Sequence, residues 1–168
     1  MRVPTPLSDE KGTSLVEFAL IVPILLLVLF GLLDFGKAFN YWNDETHLAA
    51  EGARWAVVNS NPGGSGQSLQ QYIQQQADSS ELRGIARVCI SFPSNPDTGT
   101  SGQVGDPVTV SVKADYPWIP FLRSRIHILG GTYVRLSLPS SITGTATMRL
   151  EAPPTAYAAG SGGTGSCA

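Results

Sequence analysis

The sequence predicts an α+β fold: a long N-terminal helix, transmembrane in its first half, followed by a short second helix and a small antiparallel β-sheet. Three observations predict it. Residues 18–33 form an unbroken apolar run, apolar residues then recur at helical spacing as far as Val57 without a proline, and residues 108–116 and 142–150 alternate between apolar and polar.

The apolar run is about 24 Å long as a helix at ~1.5 Å per residue, and Leu15 and Val16 bring it close to the ~30 Å hydrocarbon core. The predicted span is therefore about 15–33, with Phe18 at its start, Pro23 inside it and Leu33 at its end. Glu17 lies near one interface, and Asp34 and Lys37 mark the other. A cleaved secretion signal is the competing reading. The run exceeds the ~7–15 apolar residues usual for such signals, and Gly36-Lys37-Ala38 makes a poor cleavage site. Pro23 and Gly31 are ordinary membrane-helix residues, or soft points where the helix could bend.

Arg2 and Lys11 precede the span and only Lys37 follows closely, so the positive-inside rule keeps the N-terminus cytoplasmic and exports everything after Asp34. The net charge is −2 and 14% of residues are charged, which leaves no basic field for nucleic acid. The expected surroundings are the lipid bilayer and other proteins.

Beyond the span, Phe35, Phe39, Trp42, Thr46, Ala49, Ala53 and Val57 recur every three or four residues. They predict one helix over 13–58, near 70 Å long at the standard rise, whose outer stripe is domain core or a subunit interface. Asn59-Ser60-Asn61-Pro62-Gly63-Gly64 stops it. An extracytoplasmic α+β domain is expected over 59–151. Residues 68–79 read as its second helix, with Ser68 as N-cap. Residues 85–92, 108–116, 132–138 and 142–150 read as strands, and 93–106 as a loop longer than a tight hairpin needs. Pro117-Trp118-Ile119-Pro120-Phe121 needs cover, from the helix or from a membrane surface or partner. Residues 152–168, rich in Ala, Gly, Pro, Ser and Thr, read as a disordered tail.

Two cysteines, Cys89 and Cys167, could pair in an oxidising compartment; Cys167, next to last, could equally stay a free thiol. The chemical inventory offers no catalytic site. His47, with Asp44, Glu45 and Glu51, reads as a solvated mixed-charge helix face, and His127 lies between strands. No metal-ligand spacing, phosphate loop or cofactor motif is present, and an enzyme is not expected.

Gly12-Thr13-Ser14-Leu15-Val16-Glu17-Phe18-Ala19-Leu20-Ile21-Val22-Pro23, then Gly31-Leu32-Leu33-Asp34-Phe35-Gly36, then Ala49-Ala50-Glu51-Gly52-Ala53-Arg54 together resemble the TadE-like family of tight-adherence pilus proteins. The closing Thr145-Ala146-Thr147-Met148-Arg149-Leu150-Glu151 is also similar to that family's terminal strand. The resemblance implies a pilin-like fold and a minor pilin or pseudopilin anchored in the cytoplasmic membrane. It implies that residues 1–12 are a cytoplasmic leader, cut after Gly12 by a prepilin peptidase to leave Thr13 as the new N-terminus. Glu17 would then be the fifth residue of the mature chain, where a carboxylate costly in lipid could pair with the Thr13 ammonium of a neighbouring subunit. The implied partners are that peptidase, other pilins and minor pilins, and the pilus assembly platform. An unprocessed, single-pass accessory protein of the same apparatus is the alternative.

Overall fold

The protein is represented by a computed structural model that describes residues 10–118, 126–128, 132–134, 139–158 and 160–161. It divides into two compact units, residues 1–36 and 37–168. One helix, α1 (Glu10–Val57), runs through both and contains Pro23. The helix Ser14–Val57 includes a window of mean hydropathy 2.8, none of it buried, which is long and apolar enough to cross a membrane.

Asn59 ends α1. It adopts a left-handed φ of 51°, its N–H donates to Ala56 O at 3.1 Å, and the Ser60 N–H reaches back to Trp55 O at 3.0 Å. Those two bonds form a Schellman cap, with asparagine in the place glycine usually takes. The glycine-rich stretch after it contains a single 3₁₀ turn, Gly64–Gly66.

Ser68 caps α2 (Leu69–Gln75) through a reciprocal capping box with Gln71, as the sequence predicts, but the helix stops at Gln75 rather than continuing to Ser79. A third helix, α3 (Ser80–Ile85), follows, with the Ser79 side chain accepting the Leu82 N–H at 3.0 Å. The sequence pattern places Ser79 at the end of the second helix and predicts no third one, since six residues are too short for a periodic signal.

The main sheet is antiparallel and has the order β5-β2-β1-β6. Its principal strands are β1 (Arg87–Ser91), β2 (Pro107–Asp115) and β5 (Ser141–Arg149). Val88 pairs with Val112, Ile90 with Val110, and Val110 in turn with Ala146. A separate pair joins β3 (Ile126–Ile128) to β4 (Thr132–Val134), the latter at the start of the strand expected over 132–138. Residues 135–138 lie outside the described residues.

One face of the main sheet carries Val88, Ile90, Val108, Val110, Val112 and Ala114, all buried. Removing each valine or isoleucine side chain from water contributes about 1.5–3 kcal/mol. Opposite them in the core α1 supplies Ala38, Tyr41, Leu48, Ala49, Ala53, Ala56 and Val57. This corrects the expected stripe. Ala49, Ala53 and Val57 are core, whereas Phe39 is 65% exposed and Trp42 49% exposed. The helix turns its small side chains inward because the approach is close. A Cβ on Gly52 would lie 2.6 Å from Ile73 Cδ1 and 3.1 Å from Val110 Cγ1, and one on Gly144 in β5 would strike the α1 backbone at Glu45 and Thr46.

The disordered tail expected from residue 152 is corrected for its first part. The Asn59 Oδ1 accepts the N–H groups of Thr155 and Ala156, both at 2.8 Å, and its Nδ2 donates to Thr155 Oγ1. The Tyr157 hydroxyl donates to Ala56 O at 2.6 Å, and β6 (Gly160–Ser161) pairs with β1. Low apolar content concealed this because hydrogen bonds to one helix end, rather than broad apolar burial, hold the segment. Residues 159 and 162–168 lie outside the described residues.

Candidate functional site

The residues singled out for processing and assembly lie on the first part of α1. Gly12 and Ser14 are exposed and helical, with the helix already under way at Glu10. The side chain of Thr13 lies outside the described set. Glu17 is exposed one turn after Thr13, and Phe18 and Leu33 are 67% and 62% exposed. Pro23 also faces outward. Apolar side chains displayed in this way suit lipid or other apolar helices rather than water.

On the second unit, Lys37 is the first residue. Its Nζ donates to both Glu81 oxygens, at 3.3 and 3.0 Å, and lies 5.4 Å from the centre of the Tyr41 ring and 5.9 Å from that of Tyr116. The hydrogen bond with Glu81 raises the Lys37 pKa, and burial raises that of Tyr41. Tyr116 packs edge-on against Tyr41 and against Trp118, whose indole N–H donates to Pro139 O at 2.6 Å. Trp118 is therefore covered inside the domain; Pro120 and Phe121 lie outside the described residues.

The mixed-charge face expected around His47 separates into three environments. Asp44 accepts the Asp78 N–H at 3.0 Å, and burial raises its pKa. Glu45 points into the core and is fully buried. His47 and Glu51 line a hollow of about 350 Å³ with Ala50, Arg54, Trp55 and Val58. These residues come from the last turns of α1 and from Val58 just after it, and no nucleophile among the described residues joins them there. His127 lies on β3, its side chain outside the described set. Among the described residues, no group of three or more His, Cys, Asp or Glu could hold a metal ion.

Sequence reasoning missed two buried carboxylates, Glu45 and Asp106. Asp106 is buried at the base of the 93–106 loop, where it accepts Asn95 Nδ2 at 3.0 Å, Thr100 Oγ1 at 2.8 Å and the Gln103 N–H at 2.9 Å. Burial works against its charged form, but the donors outweigh it and hold the pKa below the usual carboxylate range. It organises a loop that looked merely long. Its Asp-Pro setting was visible, but not the convergence of donors.

Cys89 sits on β1, in register with Ser111 and Ser161, and is disulfide-bonded. Cys167, the other cysteine of the chain, lies outside the described residues.

A family model described as TadE-like protein matches residues 12–54. The N-terminal segment is TadE-like. The match takes in Gly12, Glu17, the apolar run and the outer part of α1 as far as Arg54; it stops short of the resemblance noted over 145–151. Over this segment the chain is similar to tight-adherence pilus proteins, a structural rather than enzymatic family, and its apolar helix is long enough to suit membrane anchoring. No curated protein and no solved structure shows significant similarity to the chain.

Proposed function

We propose that this protein is a minor pilin or pseudopilin of a tight-adherence pilus system, held in the cytoplasmic membrane by residues 15–33 with its 37–168 unit outside. The observation that carries this reading is the TadE-like match falling on a helix whose apolar side chains lie bare in the chain itself. Such a helix needs lipid before assembly and neighbouring helices after it. The small α+β domain, larger than a bare helical subunit requires, suits a position that primes or caps a filament. Glu17 would make the pairing with a neighbour's N-terminal ammonium, and a prepilin peptidase, other pilins and the assembly platform would be the partners.

The experiment is intact mass spectrometry of the protein purified from membranes. The expected chain begins at Thr13, and Gly12→Arg abolishes that species because a long charged side chain blocks approach to the scissile bond. A chain retaining its leader in a piliated strain would sink the processing step.

One observation favours the second reading, an unprocessed anchored accessory protein. Residues 10–13 already belong to α1, so the bond after Gly12 lies within helix, and a protease must unwind that turn to reach it. The mass measurement separates the two readings directly.

Cys89 and Cys167 are proposed to form the disulfide, which would tie the end of the chain to β1 beside the point where β6 already pairs. The oxidised monomer should gain about 2 Da on reduction, and should run as a monomer on a non-reducing gel. A mixed-disulfide dimer would defeat the assignment.

A further inference from the structure

Glu45 takes no part in the proposed function and sits where a carboxylate is costly. It is fully buried, and neither carboxylate oxygen has a hydrogen-bond partner. The backbone N–H of Ala114 favours the charged form but does not reach hydrogen-bonding geometry with either oxygen. On the other side β5 leaves little room to relieve it, because the Gly144 backbone lies so close that a Cβ there would strike the helix backbone at Glu45 and Thr46. Water cannot enter such a contact unless helix and sheet separate.

We propose that Glu45 is a proton-operated latch: with its carboxyl neutral, the outer half of α1 stays docked on β2 and β5, and loss of the proton releases that half of the helix from the sheet. The charged groups around it leave the device intact. Asp44, the adjacent residue, repels a negative charge on Glu45. From β2, Lys113 and Asp115 project from the opposite, exposed face of the sheet. β5 carries no titratable side chain from Ser141 to Met148. Asp78 presents its backbone N–H to Asp44, and Glu81 is engaged by Lys37. Among the described residues no cation is placed to neutralise an ionised Glu45, which separates this carboxylate from Asp106 with its ring of donors.

Burial, followed by the charge of Asp44, raises the Glu45 pKa from 4.5 to about 8. The docked state thus keeps a proton that the undocked state gives up. The stabilisation is complete below pH 4.5, falls as the pH climbs between the two values, and is gone above about 8. Lys37 and Tyr41, both held above their already high ordinary values, do not titrate in that window. The inference rests on the domain alone and is independent of the pilus reading.

The test is hydrogen exchange on the full chain in detergent micelles, followed by mass spectrometry of peptides covering residues 41–57 and 141–149. Rates are corrected for the intrinsic pH dependence of exchange. Wild-type protection should fall by about tenfold per pH unit from pH 6 to about 8 and then level off. Glu45→Gln, neutral at every pH and of the same size, should abolish that fall while keeping the acid-side protection. Asp44→Asn should move the levelling point to lower pH, a displacement that a purely packing role for Glu45 would not produce. A flat wild-type profile, or an equal fall in Glu45→Gln, overturns the latch. Should Glu45→Gln not fold, carbon-13 titration of the wild-type carboxyl decides: a midpoint near 4.5 refutes the proposal, and one near 8 upholds it.

Discussion

Between residues 15 and 33, every Leu, Ile, Val and Phe side chain of α1 except the half-buried Val22 is exposed, from 41% at Leu26 to 69% at Leu15 and Leu20. Between residues 38 and 57 the same helix buries Ala49, Ala53 and Ala56 completely. The large side chains displayed by the first half suit lipid or neighbouring apolar helices rather than water. The second half faces its own sheet with alanine and glycine because a closely packed β-face limits the size of what can approach. Helical periodicity alone does not distinguish these regimes; the solvent on each side does.

Substituting the residue on which the outer half most depends should divide the two halves most sharply. Gly144→Val places carbon atoms where the α1 backbone runs, so the domain should lose at least ~3 kcal/mol, read as a lowered thermal midpoint by circular dichroism in micelles. Membrane fractionation should be unchanged, since residues 15–33 are untouched. A protein that instead left the membrane fraction would show that the halves are not independent.

Acidification should act on the domain and spare the span. The lowered Asp106 pKa means that its stabilisation is present above the ordinary carboxylate value and is lost as the pH falls through the folded value. Asp106→Asn should remove that acid-side loss and lower stability at neutral pH, because it exchanges one acceptor oxygen for a donor among the side-chain and backbone donors that converge there. Denaturant melts at pH 3 and 7 decide it; an unchanged difference between the two pH values would remove Asp106 from the account.

The gentlest change tests the inner half. Glu17→Gln keeps the side-chain size and removes the charge, so domain stability should not move and insertion should be equal or slightly better. Recovery of pilin partners by co-purification at matched membrane levels should fall several-fold. Full recovery would make Glu17 a passenger.

The long apolar helix, the capping role of Ser68 and the strands β2 and β5 were legible because each follows from local periodicity or a local hydrogen-bond rule. The direction of the outer helix was not. Phe39 and Trp42 looked like core by size, but the face chosen for burial is the one whose small residues let Ile73, Val110 and Gly144 come close. Glu45 read as a surface charge for the same reason: it lies one turn from Tyr41 and Leu48 on a face that only the tertiary approach identifies. Asp106 and the packed segment 152–158 depend on partners that single-residue patterns cannot locate.

Asn59 joins the end of α1 to residues 155 and 156, so the cap closes across 96 and 97 residues of the second unit. Contacts of such long sequence separation form late, since the loop-closure entropy must be met before they contribute. In the proposed topology residues 37–158 pass outward in chain order behind a cytoplasmic N-terminus, so Thr155, Ala156 and Tyr157 follow the rest of the domain. The outer end of α1 therefore stays frayed during passage and is sealed only on arrival of the C-terminal segment, which couples completion of the fold to completion of translocation.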